Sequence, residues 1–184
     1  MNRVASMSLF LDRRMRRIFL LGVMSGFPWV LIGSSLSLWL KEDGLSRSAV
    51  GWAGLIFAVY AVNFLWAPLV DRLRLPYLTD RLGHRKSWIL LMQGFILASL
   101  LAWSLLAPSV NITLVIGAGL LIAICSATQD ITIDALRIEQ IEKEDTAAMA
   151  AGASVAVIGW WSGFKIGGLI ALKVADKFEM MGIE

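Results

Sequence analysis

The chain has little cysteine, little histidine and little charge, and each scarcity excludes a class of protein. Its 184 residues include one cysteine, Cys125, and one histidine, His84. A lone cysteine excludes an internal disulfide and a zinc site made of cysteines. Charged residues make up 17% of the chain, against about a quarter in ordinary soluble domains. The net charge of +3 is too small to indicate a nucleic acid as a partner, and no pattern indicates a metal or another cofactor.

Apolar residues are abundant instead. They make up 58% of the chain, and the mean hydropathy is +0.71. A soluble protein of this size that buried so much apolar surface would have too few polar residues left for its exterior. The composition therefore excludes a disordered chain and predicts a protein whose solvent is the lipid bilayer.

Five stretches of the chain reach the length of about 20 apolar residues that a membrane-crossing helix needs. They cover residues 18–40, 49–70, 88–107, 111–134 and 147–175. The first is too long for the core of a signal peptide and is not followed by a small-residue cleavage site. We therefore expect an all-α, polytopic membrane protein. It would consist of a basic segment at 1–17, a helical bundle at 18–176 and the start of an outer loop at 177–184.

The positive charges lie mostly on one side of these spans. Twelve lysines and arginines precede the first span or follow the second or the fourth, whereas Lys41, Arg47, Lys173 and Lys177 lie on the opposite side. The remaining cation, Lys165, lies inside the last span. Because Lys and Arg accumulate in cytoplasmic segments, we expect the N-terminus to be cytoplasmic and the C-terminus to lie outside.

The inner half of the fourth span carries acidic groups that are expensive at membrane depth. Asp130 and Asp134 are spaced i, i+4, and Asp134 and Arg137 are spaced i, i+3, so the three share one helical face. Burial favours a neutral carboxylic acid and a nearby guanidinium favours the carboxylate, so such a site suits reversible proton binding. We interpret Asp130 and Asp134 as candidate proton-coupling residues. A structural ion-pair patch at the cytoplasmic mouth remains the alternative.

The fifth span places Lys165 near the middle of the bilayer. Gly159, Gly163 and Gly167 form a small-residue stripe that would let a neighbouring helix approach closely. Lys165 is two positions from Gly163 and therefore points away from the stripe, into a central cavity by our interpretation. There it could pair with an anionic substrate or with a carboxylate in the membrane.

Three tryptophans, Trp29, Trp160 and Trp161, lie near the middle of their spans rather than at the interfaces. They could pack between helices, or they could form a cavity wall on which a sugar ring stacks. The first span also contains Pro28, which predicts a kink after the small pair formed by Gly22 and Gly26.

Four segments of the sequence resemble the N-terminal part of a major facilitator superfamily transporter, and specifically the anhydromuropeptide permease (AmpG) family. They are 25–28 with 38–44, 64–72, 83–88 and 126–137. The last is the most specific and reads Ser126-Ala-Thr-Gln-Asp130-Ile-Thr-Ile-Asp134-Ala-Leu-Arg137.

The resemblance implies a fold of two six-helix halves around a cavity that opens alternately to each side. With five predicted spans, this chain is an N-terminal half that lacks its sixth helix, so we expect a fragment. The implied function is proton-coupled import of peptidoglycan fragments across a bacterial inner membrane. The partners would be the bilayer, protons, an anionic sugar-peptide and the missing C-terminal half. The candidate substrate-binding residues are Lys165, Trp160, Trp161, Trp29 and Gln129.

The loop between the second and third spans resembles the conserved cytoplasmic loop of the superfamily. By that resemblance, a charge-relay gate would contain Asp71, Arg72, Gly83, Arg85, Lys86 and Arg137. The bland alternative is ordinary positive-inside charge. The chain departs from the family pattern at Asn63, where a lysine is frequent, and at His84, which replaces the second arginine of the loop.

Three other interpretations of the sequence need to be considered. Related branches of the superfamily carry sugars or acetyl-CoA, and a five-span chain could also be an inactive truncated remnant. The Asp130 and Asp134 spacing is similar to that of phospholipid head-group transferases. Those enzymes also need Asp-Gly and Arg-Gly elements that the fourth span lacks. We therefore do not expect an enzyme.

Overall fold

Five long helices form the bundle in the computed structural model, which describes residues 12–142 and 145–180, with side chains up to Val174. They are α1 (Arg13–Glu42), α2 (Arg47–Leu65), α3 (His84–Trp103), α4 (Pro108–Glu139) and α5 (Thr146–Met180). Each contains a stretch long and apolar enough to cross a membrane. The prediction of an all-α polytopic protein with five membrane helices is confirmed.

Local features at the helix ends give bounds that differ from those of the apolar stretches. Asp12 accepts a hydrogen bond from the backbone N–H of Arg14 at 3.3 Å, so α1 begins before residue 18. The second apolar stretch is interrupted at Trp66, after which a short helix, Ala67–Arg72, continues the chain. Gly83, at a positive φ of 84°, precedes α3.

The last two helices are also longer than predicted. Pro108 begins α4, where a missing N–H costs nothing, and Asn111 leaves helical geometry just inside it. Residues 177–180, expected in an outer loop, belong to α5. Residues 1–11, 143–144 and 181–184, which include most of the expected basic segment and the rest of that loop, lie outside the described residues.

The first half of α1 packs against α5 through glycines on both helices. A Cβ added to Gly22 or Gly26 would collide with backbone atoms of α5, and one added to Gly159 or Gly163 would collide with backbone atoms of α1. The small-residue stripe of the last span therefore faces the small pair of the first span. The two backbones are in direct contact over about two turns.

The helix α4 lies among α1, α2 and α3 and supplies much of the core. The indole N–H of Trp103 on α3 donates to the carbonyl oxygen of Val115 on α4 at 2.8 Å. Both residues are buried, together with Ile96 and Ile122, at 1% and 0% exposure. A central helix with neighbours on several sides is a suitable position for functional side chains.

Helix α1 changes its hydrogen-bond pattern in its middle. Pro28 lies inside the helix and is buried, and a π-helical turn at Leu31–Ser35 follows it before α-helical geometry resumes. Pro28 therefore does not end the helix. A proline inside a helix predicts a local irregularity, and the π-helical turn appears within one turn after Pro28.

One end of the bundle collects most of the described basic residues, and we call it the basic end. The starts of α1 and α5 and the end of α4 meet there through Met15, Ile18, Ile141 and Ala148. The start of α3 is joined to the end of α4 by an ion pair at the same end.

Candidate functional site

Asp130 is held by a hydrogen bond from another helix. Ser25 Oγ on α1 donates to Asp130 Oδ1 on α4 at 2.5 Å, and Ser25 is only 8% exposed. The indole of Trp29 and the carboxylate of Asp134 also lie close to Asp130. The functional interpretation of the sequence missed Ser25, although the residue belongs to the Ser25–Pro28 segment that carries the resemblance.

A small cavity opens beside this hydrogen bond, where α1, α4 and α5 meet. Its volume is about 210 Å³. It is lined by Gly22, Ser25, Asp130, Ile133, Asp134, Ala156, Val157 and Trp160. The structure therefore brings together both predicted proton-coupling residues and one predicted substrate-binding tryptophan.

Aromatic side chains continue from this cavity across three helices. The rings of Trp29 and Trp160 meet edge to face with centroids 5.7 Å apart. Trp29 also contacts Tyr60 of α2 at 4.5 Å, and Phe164 stacks on Trp160 at 5.6 Å. Tyr60 and Phe164 were not predicted as site residues, because an isolated aromatic residue in a span gives no sign of its partners. Trp29 and Trp160 pack between helices and are half-buried.

Lys165 lies on an exposed face of α5. Its Nζ is 6.0 Å from the ring centroid of Trp161, which is at the limit of a cation–π contact. Within the described residues, no carboxylate oxygen lies within 4.0 Å of this ammonium group. Trp161 is 51% exposed and contacts Trp160 at 5.2 Å. The cation and the cavity of Asp130 are thus connected through two neighbouring tryptophans.

Asp134 has a different environment from Asp130. Its side chain is 67% exposed and its Oδ1 accepts from Arg137 Nε at 3.3 Å. This is the i, i+3 pair that the sequence spacing favours, and it occupies the rim of the cavity. An exposed pair of this kind contributes little to stability, about 0–1 kcal/mol.

Gln129 lies apart from the other candidates. It is 1% exposed and does not line the cavity of Asp130. Neither atom of its amide group has a hydrogen-bond partner in the part of the chain that the structure describes. Gln129 was grouped with the tryptophans and Lys165 as a candidate substrate-binding residue, but Gln129 and Asp130 face different sides of α4.

Arg85 is the centre of the charged cluster at the basic end. Its Nη1 donates to Asp71 Oδ1 at 2.5 Å, and its Nε donates to Glu139 Oε1 at 2.9 Å. Arg85 is mostly buried at 18% side-chain exposure. Glu139 was not predicted in this role, because it lies 54 residues away in sequence. The cluster therefore joins the segment after α2, the start of α3 and the end of α4.

The other predicted gate residues are arranged around this cluster. Gly83 precedes α3 in a left-handed conformation that favours glycine. His84 is half-buried, and its Nε2 lies 2.9 Å from the carbonyl oxygen of Val70. Arg72 and Lys86 are exposed and pair with no carboxylate within the described ranges. Arg137 pairs with Asp134 instead of joining the Arg85 cluster.

Known proteins match the chain over most of its length. It is 37% identical over 168 residues to a Rickettsia felis protein named transporter AmpG 4, which is 91% of this chain and 40% of that protein. It is 31% identical over 170 residues to the anhydromuropeptide permease of Escherichia coli K12, which is 92% of this chain and 33% of the permease. A Rickettsia conorii protein, transporter AmpG 1, is 35% identical over 133 residues, which is 72% of this chain and 32% of that protein.

These matches confirm the resemblance to the N-terminal part of the AmpG family. The chain spans about two fifths or less of the length of the three relatives. No solved structure matches it. The sequence model described as Major Facilitator Superfamily matches residues 18–176, which contain the greater part of all five membrane helices. The chain therefore belongs to the Major Facilitator Superfamily.

Proposed function

We propose that this chain supplies part of a secondary active transporter that imports anhydromuropeptides together with protons. The transporter would lie in a bacterial inner membrane, with the basic end of the bundle in the cytoplasm, as the distribution of Lys and Arg favours. A C-terminal half would complete the transport pathway, because alternating access needs two bundles that move about one site.

One observation carries this proposal: a carboxylate and a cation that pairs with no described carboxylate lie at two ends of one aromatic surface. Asp130 and Trp160 line the same cavity, Trp160 contacts Trp161, and Trp161 contacts Lys165. An ionisable group at membrane depth is costly and usually faces a cavity or a partner. Aromatic faces suit a sugar ring, and an ammonium group suits the carboxylates of a peptide.

The carboxylate Asp130 is the proposed proton carrier. The hydrogen bond from Ser25 stabilises its charged form, whereas the apolar surroundings favour the neutral form. A carboxylic acid under opposing influences can bind and release a proton during a transport cycle. Asp134, being exposed and paired with Arg137, would contribute less.

The Arg85 cluster is the proposed gate. It joins three segments at the basic end, and its two ion pairs would stabilise one access state of the transporter. The pairing of Arg85 with both Asp71 and Glu139 supports this role over ordinary positive-inside charge, because topology alone requires no partner for an arginine.

Uptake of radiolabelled anhydromuropeptide by membrane vesicles tests the proposal. The vesicles would contain the complete transporter, encoded by the full gene, with and without an imposed pH gradient. We expect the gradient to drive accumulation and a protonophore to abolish it. Equal uptake by vesicles without the protein would reject the substrate class, and accumulation indifferent to the gradient would reject proton coupling.

A further inference from the structure

We propose that Ser25 couples the protonation of Asp130 to the position of the α1–α5 pair, and through it to the face that carries Lys165. This inference rests on the proposed function. Ser25 is a positioning residue in this scheme, since it contacts the proton-binding carboxylate and not the substrate.

The first half of α1 and the facing part of α5 are packed backbone against backbone. Gly22 and Gly26 lie so close to α5 that a Cβ on either would collide with its backbone. The same holds in the other direction for Gly159 and Gly163 against α1. Two backbones in such contact cannot slide past each other without losing it. A displacement of this part of α1 therefore displaces α5 and, with it, Lys165.

Ser25 joins this pair of helices to α4. It lies between Gly22 and Gly26 in sequence and donates across to Asp130 Oδ1 at 2.5 Å. In the described part of the chain, Ser25 supplies the only hydroxyl that donates to this carboxylate. The strength with which α1 is held to α4 therefore depends directly on the charge of Asp130.

The strength of this bond depends on the protonation state of Asp130. A hydroxyl that donates to an ionised carboxylate makes a charge-assisted hydrogen bond, which is about twice as strong as a neutral one. When a proton from water adds to the carboxylate, Asp130 becomes a neutral carboxylic acid and Ser25 loses its charged acceptor. Protonation thus loosens the attachment of the α1–α5 pair to α4.

Trp29 also lies on α1 and close to Asp130, so it is a second contact between α1 and this carboxylate. The titratable groups near Asp130 do not provide such a connection. Asp134 lies on the same helix and pairs with Arg137. Tyr60 on α2 is near enough to interact electrostatically with Asp130, but α2 is not part of the α1–α5 pair. On α5, the cavity is lined by Ala156, Val157 and Trp160, none of which titrates.

The test compares gradient-driven accumulation with exchange in the absence of a gradient, in vesicles that contain the complete transporter. For Ser25→Ala, we expect gradient-driven accumulation to fall about tenfold, the scale of one hydrogen bond to a charged group. Exchange of labelled for unlabelled anhydromuropeptide without a gradient should stay within about twofold. The pH profile of uptake should differ from that of the wild type, because the carboxylate loses the donor whose hydrogen bond depends on its charge.

Two further variants make the test specific. Ser99→Ala removes another buried hydroxyl, one that donates to Phe95 of its own helix, and should leave accumulation and its pH profile unchanged. If Ser25→Ala does not reach the membrane, Ser25→Cys replaces it. The thiol is close in size to the hydroxyl but is a weak donor, so accumulation should fall as expected for Ser25→Ala.

The possible results separate the two proposals. Absence of gradient-driven uptake in the wild type would overturn the proposed function itself. Gradient-driven uptake in the wild type with an identical accumulation and pH profile in Ser25→Ala would overturn only the coupling role of Ser25.

Discussion

Arg85 Nε donates to Glu139 Oε1 at 2.9 Å and so ties the start of α3 to the end of α4. The same guanidinium also pairs with Asp71. One side chain thereby joins three segments that are far apart in sequence. If the cluster stabilises one access state, its removal should change the balance between states more than it changes folding.

Replacement of Arg85 by alanine should therefore shift the complete transporter away from that state. Two partly exposed ion pairs contribute up to about 1 kcal/mol each, so we expect a shift of roughly 5- to 30-fold. Labelling of single cysteines placed on the two sides of the membrane measures it. Arg72→Ala is the matched control, since Arg72 is exposed and pairs with no described carboxylate. Equal labelling of both variants would contradict a gating role for the cluster.

Gly163→Ala should destabilise the bundle. The added methyl group would collide with the backbone of Val23, and overpacking of this kind costs about 1–3 kcal/mol. Gly117→Ala is the control, because nothing lies within 4 Å of a Cβ at that position. Thermal unfolding of the two variants in detergent provides the comparison. A lower midpoint for Gly163→Ala alone is expected, and equal midpoints would argue against tight α1–α5 contact.

Lys165→Ala should weaken the binding of the anionic substrate. The loss of a charge pair away from bulk water should raise KM for uptake by about tenfold or more, while Lys165→Arg, which keeps the charge, should have a smaller effect. Lys173→Ala removes an exposed cation from the same helix and serves as the control. Initial uptake rates over a range of anhydromuropeptide concentrations measure KM. An unchanged KM for Lys165→Ala would exclude the lysine from substrate binding.

Asp130→Asn and Asp134→Asn should differ in effect. An amide at position 130 cannot carry a proton, so gradient-driven accumulation should be lost while exchange without a gradient continues. Position 134 is exposed and paired with Arg137, so its neutralisation should reduce accumulation by no more than about fivefold. Parallel measurements of accumulation and exchange distinguish the two. Equal losses in both variants would assign the proton to the pair as a unit.

The number and type of helices could be predicted from hydropathy, because each span contains a long, predominantly apolar stretch. Their ends could not, because caps such as Asp12 and breaks such as Trp66 act through local geometry. Pairs at short helical spacing, such as Asp134 with Arg137, also follow from the sequence.

Contacts between helices were mostly beyond prediction. Ser25 is a small residue of a kind that is common in membrane helices. Only folding brings it to Asp130, 105 residues later in the sequence. Glu139 reaches Arg85 for the same reason. Conversely, Gln129 adjoins Asp130 in sequence yet lies outside its cavity, because consecutive residues of a helix face different neighbours.

The π-helical turn at Leu31–Ser35 changes the direction in which the side chains of α1 point, relative to those before the turn. Before it, Gly22 and Gly26 face α5; after it, Leu36 and Leu40 are buried in the cluster built around α4. A single regular helix would hold one constant angular register, and its two ends could not both satisfy these neighbours. The wider π-helical turn changes this angular register, so α1 can pack against α5 before the turn and against the cluster around α4 after it.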